Sequence, residues 1–372
     1  MKFFWASLKE DLSLTDKLMF FCAFMLALWG IFCIYSAAAG ANGRGLNLAL
    51  KQTAWLAFSI FVMLFIMIVG HSKMLEGAYA LYGLALFSLV LTYIFAPKVN
   101  GAHSWIDLGG FRFQPSEFVK IAIILTMSKF LTRYPPFDFK TFMAGLGVIS
   151  LPVILVLIQP DAGSALVYLV ISFGMLVAAG TPFKYLGGLV GLGLSAIPVL
   201  IIFVLKEYQR NRILVFIDPM RDPLGAGYNV IQSRIAVGSG GFSGKGYMLG
   251  TQSKLKFLPE PHTDFIFSVF SEEFGFIGNM ILILLFSILL FRIILAGIRS
   301  RDRRCKILVA GVASWFWFQM FESIGMSIGL MPVTGLPLPF LSYGGSSLLA
   351  IFIAIGLVAS VYIEGVTNKR GF

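Results

Sequence analysis

Charge is scarce in this chain: only 13% of its 372 residues are Asp, Glu, Lys or Arg, while 58% are hydrophobic and the mean hydropathy is +0.86. Soluble domains carry about a quarter of their residues as charges, so this composition excludes one and implies an integral membrane protein. Cysteine is rarer still, with three residues. Cys22 and Cys33 lie on one predicted helix, roughly 16 Å apart at 1.5 Å per residue, and Cys305 falls in a predicted loop, so no disulfide is expected. Acidic residues number 18 against 29 basic ones, a net charge of +11. The basic residues are scattered along predicted membrane borders and do not gather in one domain. That distribution argues against nucleic acid and for anionic membrane lipids as the partner. Low-complexity tracts, a separate soluble domain and an evident repeat between the halves are all lacking. No small-residue cleavage pattern comes after the first apolar run, which is expected to be a retained span.

What the chain has is a series of apolar stretches, each long enough to cross a hydrocarbon core of about 30 Å. About ten spans are predicted, starting near Leu18, Thr53, Gly77, Ser116, Thr141, Ala162, Leu186, Gly278, Ile307 and Ser347. The expected fold is an all-α polytopic membrane protein, a single integral membrane domain over residues 1–372. Basic residues are retained on the cytoplasmic side. Lys2, Lys9 and Lys17 precede the first span, Lys129, Arg133 and Lys140 come after the fourth, and Arg299, Arg301, Arg303, Arg304 and Lys306 after the eighth. Both termini are therefore expected in the cytoplasm, and one long connection, about 206–276, outside it.

Polar chemistry collects in four places. "LPEPHTDFIF" puts Asp264 where a proline-broken segment meets an apolar run. Pro259 and Pro261 hold Glu260 and the residues after it in extended or turn conformations. Asp264 or Thr263 could simply cap the next helix. "FQPSEFVK" opens a span with Pro115 and Ser116 and sets Glu117 and Lys120 three residues apart on one helix face, either as an anchoring ion pair or as site residues. In "QPDAGSALV", Pro160 ends one helix and Asp161 can cap another. "GLMPVTGLPLPFLSYGGSS" holds too many prolines and glycines for a regular helix, so at membrane depth it must be buried in protein or line a wet cavity. Glu322, inside the ninth span, is expected to face the bundle interior or a partner. The glycine-rich "GSGGFSGKG" lacks the strand, helix and spacing of a nucleotide phosphate loop. A loop over an anionic headgroup, with Lys245 near it, or plain flexibility remain as readings.

These four segments, with "YNVIQSRIAVGSGGFSGKG" leading into the Asp264 motif, stand in one order that resembles the SEDS family (shape, elongation, division and sporulation proteins) over nearly the whole chain. "GKGYMLGTQ" before "LPEPHTDF" is similar to the elongation branch. The resemblance implies a peptidoglycan glycosyltransferase of the cytoplasmic membrane that polymerises lipid II, a disaccharide-pentapeptide on undecaprenyl pyrophosphate, beside a class B penicillin-binding protein. It implies Asp264 as the catalytic carboxylate, and Glu117, Lys120 and Asp161 as site residues. Two positions depart from the family pattern, Ser104 where Arg is frequent and Ser323 where Asn is common.

The chemistry asks for one base and some cations. A carboxylate can take the proton of the attacking sugar hydroxyl, while the pyrophosphate leaving group needs charge stabilisation and no general acid. Displacement of an α-linked lipid pyrophosphate gives a β-linkage, hence inversion. Arg212, Arg234 and Lys245 are the candidate cations. No cofactor is certain. A divalent ion, Mg or Mn, could share the cation role, but no dedicated metal site is visible. Two other classes compete: a flippase or transporter of the lipid-linked precursor, since broken helices and intramembrane charges suit one, and a non-catalytic scaffold of a cell-wall complex.

Overall fold

The computed structural model describes residues 14–39, 44–97, 104–107, 112–199, 210, 214–223, 225–255 and 257–370. Each predicted span meets a helix: α1 (Lys17–Ala39), α2 (Arg44–Val69), α4 (Ala78–Phe95), α5 (Pro115–Arg133), α6 (Phe139–Ile158), α7 (Ala162–Ala178), α8 (Phe183–Val199), α11 (Ile266–Arg299), α12 (Arg303–Ile328) and α13 (Gly345–Arg370). Short α3 (His71–Glu76) joins α2 to α4, and α9 (Ala226–Ser239) and α10 (Thr251–Lys254) lie in the long connection. A two-residue antiparallel pair, Ile106–Asp107 with Arg112–Phe113, precedes α5. Among the described residues seven helices are long and apolar enough to cross a membrane: α1, α2, α4, α6, α11, α12 and α13. The chain is an all-α polytopic membrane protein.

Helix α5 falls outside those seven because it carries Glu117, Lys120, Lys129 and Arg133, and the packing explains how it is tolerated. It is surrounded by α3, α4, α6, α7, α12 and α13, so Glu117 and Lys120 are buried against protein, the arrangement that low dielectric requires, while Lys129 and Arg133 lie at its more exposed C-terminal end. Helices α12 and α13 are mostly buried and α4 mostly exposed. The bundle therefore has a polar-tolerant centre and an apolar periphery.

The eighth span differs from expectation. The sequence places its start near Gly278, with 206–276 as a connection, yet α11 already starts at Ile266 and is broken at Gly275, where φ is 63° and ψ −161°. Residues Ile266–Glu273 are buried throughout. A break at such depth frees backbone groups that lipid cannot satisfy, and the glycine-rich segment supplies their partners. The N–H groups of Lys245 and Gly246 donate to the carbonyls of Glu272 and Glu273, both at 3.0 Å, while Phe276 and Ile277 donate to the carbonyls of Gly241 (2.9 Å) and Phe242 (3.1 Å). "GSGGFSGKG" is thus a backbone splint for a broken helix. Its glycines permit contact: a Cβ on Gly244 would sit 2.1 Å from the Glu273 carbonyl oxygen, and one on Gly275 2.2 Å from the Gly244 nitrogen.

Gly275→Ala is expected to cost about 1–3 kcal/mol from backbone strain alone, before the clash with Gly244 is counted. A thermal-shift measurement in detergent checks this. An unchanged midpoint would mean that the splint does not need glycine.

Candidate active site

The site grows from the segment between α12 and α13. Helix α12 ends on Gly329, whose left-handed φ of 77° turns the chain away. Pro332, Pro337 and Pro339 then prevent helix and stiffen the segment. Phe340 is held at φ 67°, and its buried ring anchors the segment among Phe286, Phe316 and Phe352, with centroids at 6.3, 5.7 and 5.9 Å.

The four consecutive residues Thr334–Pro337 of this segment meet three elements: α12 twice, the Asp264 segment and the start of α7. Thr334 Oγ1 donates to Glu322 Oε1. A Cβ on Gly335 would lie 3.5 Å from Asp264 Oδ2, an ordinary contact distance, so the carboxylate faces that glycine with room for a methyl group between them. Gly163, at the start of α7, stands against Leu336 and the Thr334 carbonyl. The Pro337 carbonyl accepts from Gln319 Nε2 at 3.4 Å. The sequence predicts a rigid wall here; the structure shows the piece that gathers the site.

Asp264 is half-buried. The segment that carries it is tied to the wall by two backbone acceptors, His262 O receiving from Tyr343 N at 2.9 Å and Thr263 O from Ser342 Oγ at 2.7 Å. The helix-cap reading of Thr263 does not describe this geometry. Helix α11 begins at Ile266 with Phe265 at the cap position, and the Thr263 hydroxyl donates to the Glu260 carbonyl. Glu322 lies close enough to sense the Asp264 charge, and its buried Oε2 has no hydrogen-bond partner among the described residues. His262 is held below its ordinary pKa by burial, against the opposing pull of Glu260.

Glu117 and Lys120 form the ion pair their spacing predicts. Lys120 Nζ lies 2.8 and 2.9 Å from the two Glu117 oxygens, and both side chains are almost fully buried. The ammonium also reaches Gln319 Oε1 at 3.4 Å and lies 4.6 Å from the centre of the Trp315 ring. Since Gln319 donates to Pro337, the pair is linked to the wall. Asp161 caps α7, accepting from Ser164 N (2.9 Å) and Ser164 Oγ (2.7 Å). Burial pushes its carboxyl above the usual range despite those bonds, and it lies within electrostatic reach of both Glu117 and Lys120.

The three candidate cations fare differently. Arg212 lies outside the described residues. Arg234, exposed on α9, donates from Nη2 to the Gly329 carbonyl at 2.9 Å, which places a cation at the C-terminal end of α12 where the helix dipole favours it. Lys245 is engaged by Glu272 Oε1 at 2.7 Å and Thr251 Oγ1 at 3.0 Å. Glu272 also accepts from Thr251 N at 2.8 Å, so this buried carboxylate locks the splint with Lys245 as counter-ion. Gln319 and Thr334 are not singled out by the sequence. The usable signal for Gln319 is its place as a polar residue one helical turn before Glu322 in an apolar helix.

With this geometry in hand, comparison with known proteins places the whole arrangement. The family model for FtsW, RodA and SpoVE, described as cell cycle protein, matches residues 16–365. The chain belongs to the FtsW/RodA/SpoVE family. Among family members, peptidoglycan glycosyltransferase MrdB of Escherichia coli K12 is 36% identical over 343 residues, covering 91% of this chain and 92% of that protein. Stage V sporulation protein E of Bacillus subtilis is 37% identical over 359 residues, covering 93% and 96%. Among solved structures, a chain of a peptidoglycan synthase complex that coordinates polymerization and crosslinking superposes with a TM-score of 0.81 at 31% identity, covering 94% of this chain and 98% of that one. RodA of Thermus thermophilus gives a TM-score of 0.71 at 29% identity, covering 94% and 96%. The family resemblance read from the motifs and the fold seen in the structure thus agree.

Proposed function

We propose that this chain, a peptidoglycan glycosyltransferase of the elongation branch and a multi-pass membrane protein, polymerises lipid II with Asp264 as general base. The observation that carries the reading is the seat of Asp264: a half-buried carboxylate against Gly335, on a segment fastened to the proline-rich wall by two backbone hydrogen bonds. A base fixed in place transfers a proton without paying for reorganisation in the transition state. The acceptor hydroxyl oxygen attacks the anomeric carbon of the donor, its proton passes to Asp264, and the bond to the pyrophosphate oxygen breaks with the electron pair leaving on the phosphate. Attack from the face opposite the leaving group inverts the anomeric centre to β.

Muramidase digestion of the product tests the reading. Purified protein with lipid II should give strands that a β-1,4-specific muramidase degrades. Absence of polymer, or a polymer resistant to that enzyme, would refute it.

Arg234 is the described cation placed best for the pyrophosphate, because it is exposed and sits where the wall leaves α12. A charge-assisted contact to phosphate contributes about 1.5–3 kcal/mol, so Arg234→Gln should reduce turnover at limiting lipid II by roughly ten- to a hundredfold. Arg234→Lys should recover only part. Wild-type kcat/KM in the Gln variant would confine Arg234 to capping α12. A divalent ion, Mg or Mn, would find Asp264 and Glu322 here, and no third carboxylate, His or Cys joins them among the described residues. That donor set suits an ion carried in with the pyrophosphate, which uses one or two carboxylates plus phosphate oxygens; no step above is routed through it.

The excess of Lys and Arg at the α5–α6 and α11–α12 connections supports an orientation with those ends in the cytoplasm and Asp264 outside. Cysteine labelling in intact cells checks it. Native Cys305 cannot report, because it is fully buried in the first turn of α12 and does not lie in a loop. Ser243→Cys, exposed in the splint, should react with an impermeant thiol reagent, and Lys306→Cys should not until the cells are opened; the reverse pattern overturns the orientation. The partner that fits is a class B penicillin-binding protein, which would cross-link the strands made here. The similar chain in the synthase complex supports that pairing.

A further inference from the structure

At the far end of α12 from the wall, about 36 Å along the helix axis from Gly329 at 1.5 Å per residue, three side chains from three helices converge: His71 on α3, Cys305 on α12 and Glu364 on α13. His71 Nε2 lies 2.9 Å from Glu364 Oε2 and 3.2 Å from Cys305 Sγ, and the three ligand atoms are all within 4.8 Å of one another. None of these residues takes part in the glycosyl-transfer site. The imidazole is held from behind: Nδ1 is 2.9 Å from Ser360 Oγ, which also accepts from the His71 backbone N–H at 3.0 Å. Such a contact at the other ring nitrogen orients a ligating histidine and sets its tautomer.

We propose that His71, Cys305 and Glu364 form a binding site for a borderline-soft divalent metal ion of the zinc class. Nitrogen, sulfur and one carboxylate oxygen are the donor types that zinc takes, and three protein ligands leave a fourth position for water. Tetrahedral bonds of the usual lengths set ligand atoms about 3.4–3.6 Å apart, so the 2.9 and 3.2 Å separations need open by only about half an ångström. Room for the fourth ligand exists, since a cavity of about 280 Å³ lined by Gly70, His71, Ser72, Ser360 and Glu364 adjoins the imidazole. Charge also balances. A thiolate and a carboxylate neutralise a divalent ion, and the neighbouring arginines are already engaged, Arg304 with Asp302 at 2.7 Å and Arg299 with the Tyr362 hydroxyl at 2.8 Å. A bound ion would fasten α3, α12 and α13 at the end opposite the active site.

The test uses the full-length protein in detergent, stripped with a chelator and titrated with Co²⁺. The expected result is one equivalent bound with a thiolate-to-cobalt charge-transfer band, displaced by Zn²⁺, lost in Cys305→Ser and kept in Cys22→Ser and Cys33→Ser. His71→Gln should weaken binding by at least tenfold, the lower end of what loss of a supporting group around a metal site costs. A second readout needs no variant: an ion that binds only the folded chain stabilises it, so Zn²⁺ should raise the thermal midpoint of the stripped wild-type chain. A missing band, a band that survives Cys305→Ser, or a midpoint indifferent to Zn²⁺ would show that the cluster is only hydrogen-bonded.

Discussion

Asp264→Asn should reduce glycan polymerisation by roughly 10²–10⁴-fold, the range that a positioned general base contributes, while the protein keeps its thermal midpoint and its partner. The asymmetry comes from what holds Asp264 in place. The segment is fixed through the His262 and Thr263 carbonyls, which the substitution leaves untouched, and an amide is the same size as a carboxylate beside Gly335. What is lost is the capacity to accept a proton. The fall should therefore appear in kcat, with KM for lipid II little changed, because a group used only in the transition state does not report on ground-state binding. Turnover near wild type in a well-folded Asn variant would move the base elsewhere, with Glu322 the next carboxylate to examine.

Lys120→Met should destabilise the protein by about 3–5 kcal/mol, the cost of leaving a buried carboxylate without its counter-ion. Glu117 is 2% exposed and Lys120 1%, so water cannot replace the missing partner. Adding Glu117→Gln should restore most of the loss, since an uncharged pair of similar volume removes the stranded charge. Thermal unfolding of the two single variants and the double variant forms the cycle that decides. Strict additivity would mean that the pair, although within 2.8 Å, is energetically uncoupled. Polymerisation should track stability only in part, because Lys120 also reaches the wall through Gln319 and Pro337.

The membrane fold was legible because the bilayer imposes a length and a composition on each span, and all ten predicted starts meet a helix. Local spacing was equally readable: Glu117 and Lys120 pair as an i, i+3 relation requires, and Asp161 caps α7. Less accessible was anything set by backbone approach across distant segments. The glycine-rich stretch carries no side-chain signal for its role, because that role is to offer N–H and C=O groups to the distant break at Gly275. Lys245 illustrates the same limit. Its charge suggests a phosphate, yet Glu272 claims it, and only the fold brings the two together. The Thr334–Pro337 segment was recognisable as a rigid non-helical wall, but that it joins α12, α7 and the Asp264 segment depends on how α7, α11 and α12 pack.

The claim at the centre of this account is that the chain itself forms the glycosidic bond, with cross-linking left to its partner. Polymerisation of purified lipid II by the chain with a class B penicillin-binding protein, its transpeptidase blocked by a β-lactam, separates the two activities on a gel that resolves strand length. The account predicts uncross-linked strands at an undiminished rate with the wild-type chain and none above background with Asp264→Asn; strands that vanish with the β-lactam, or that persist equally in the Asn variant, would contradict it.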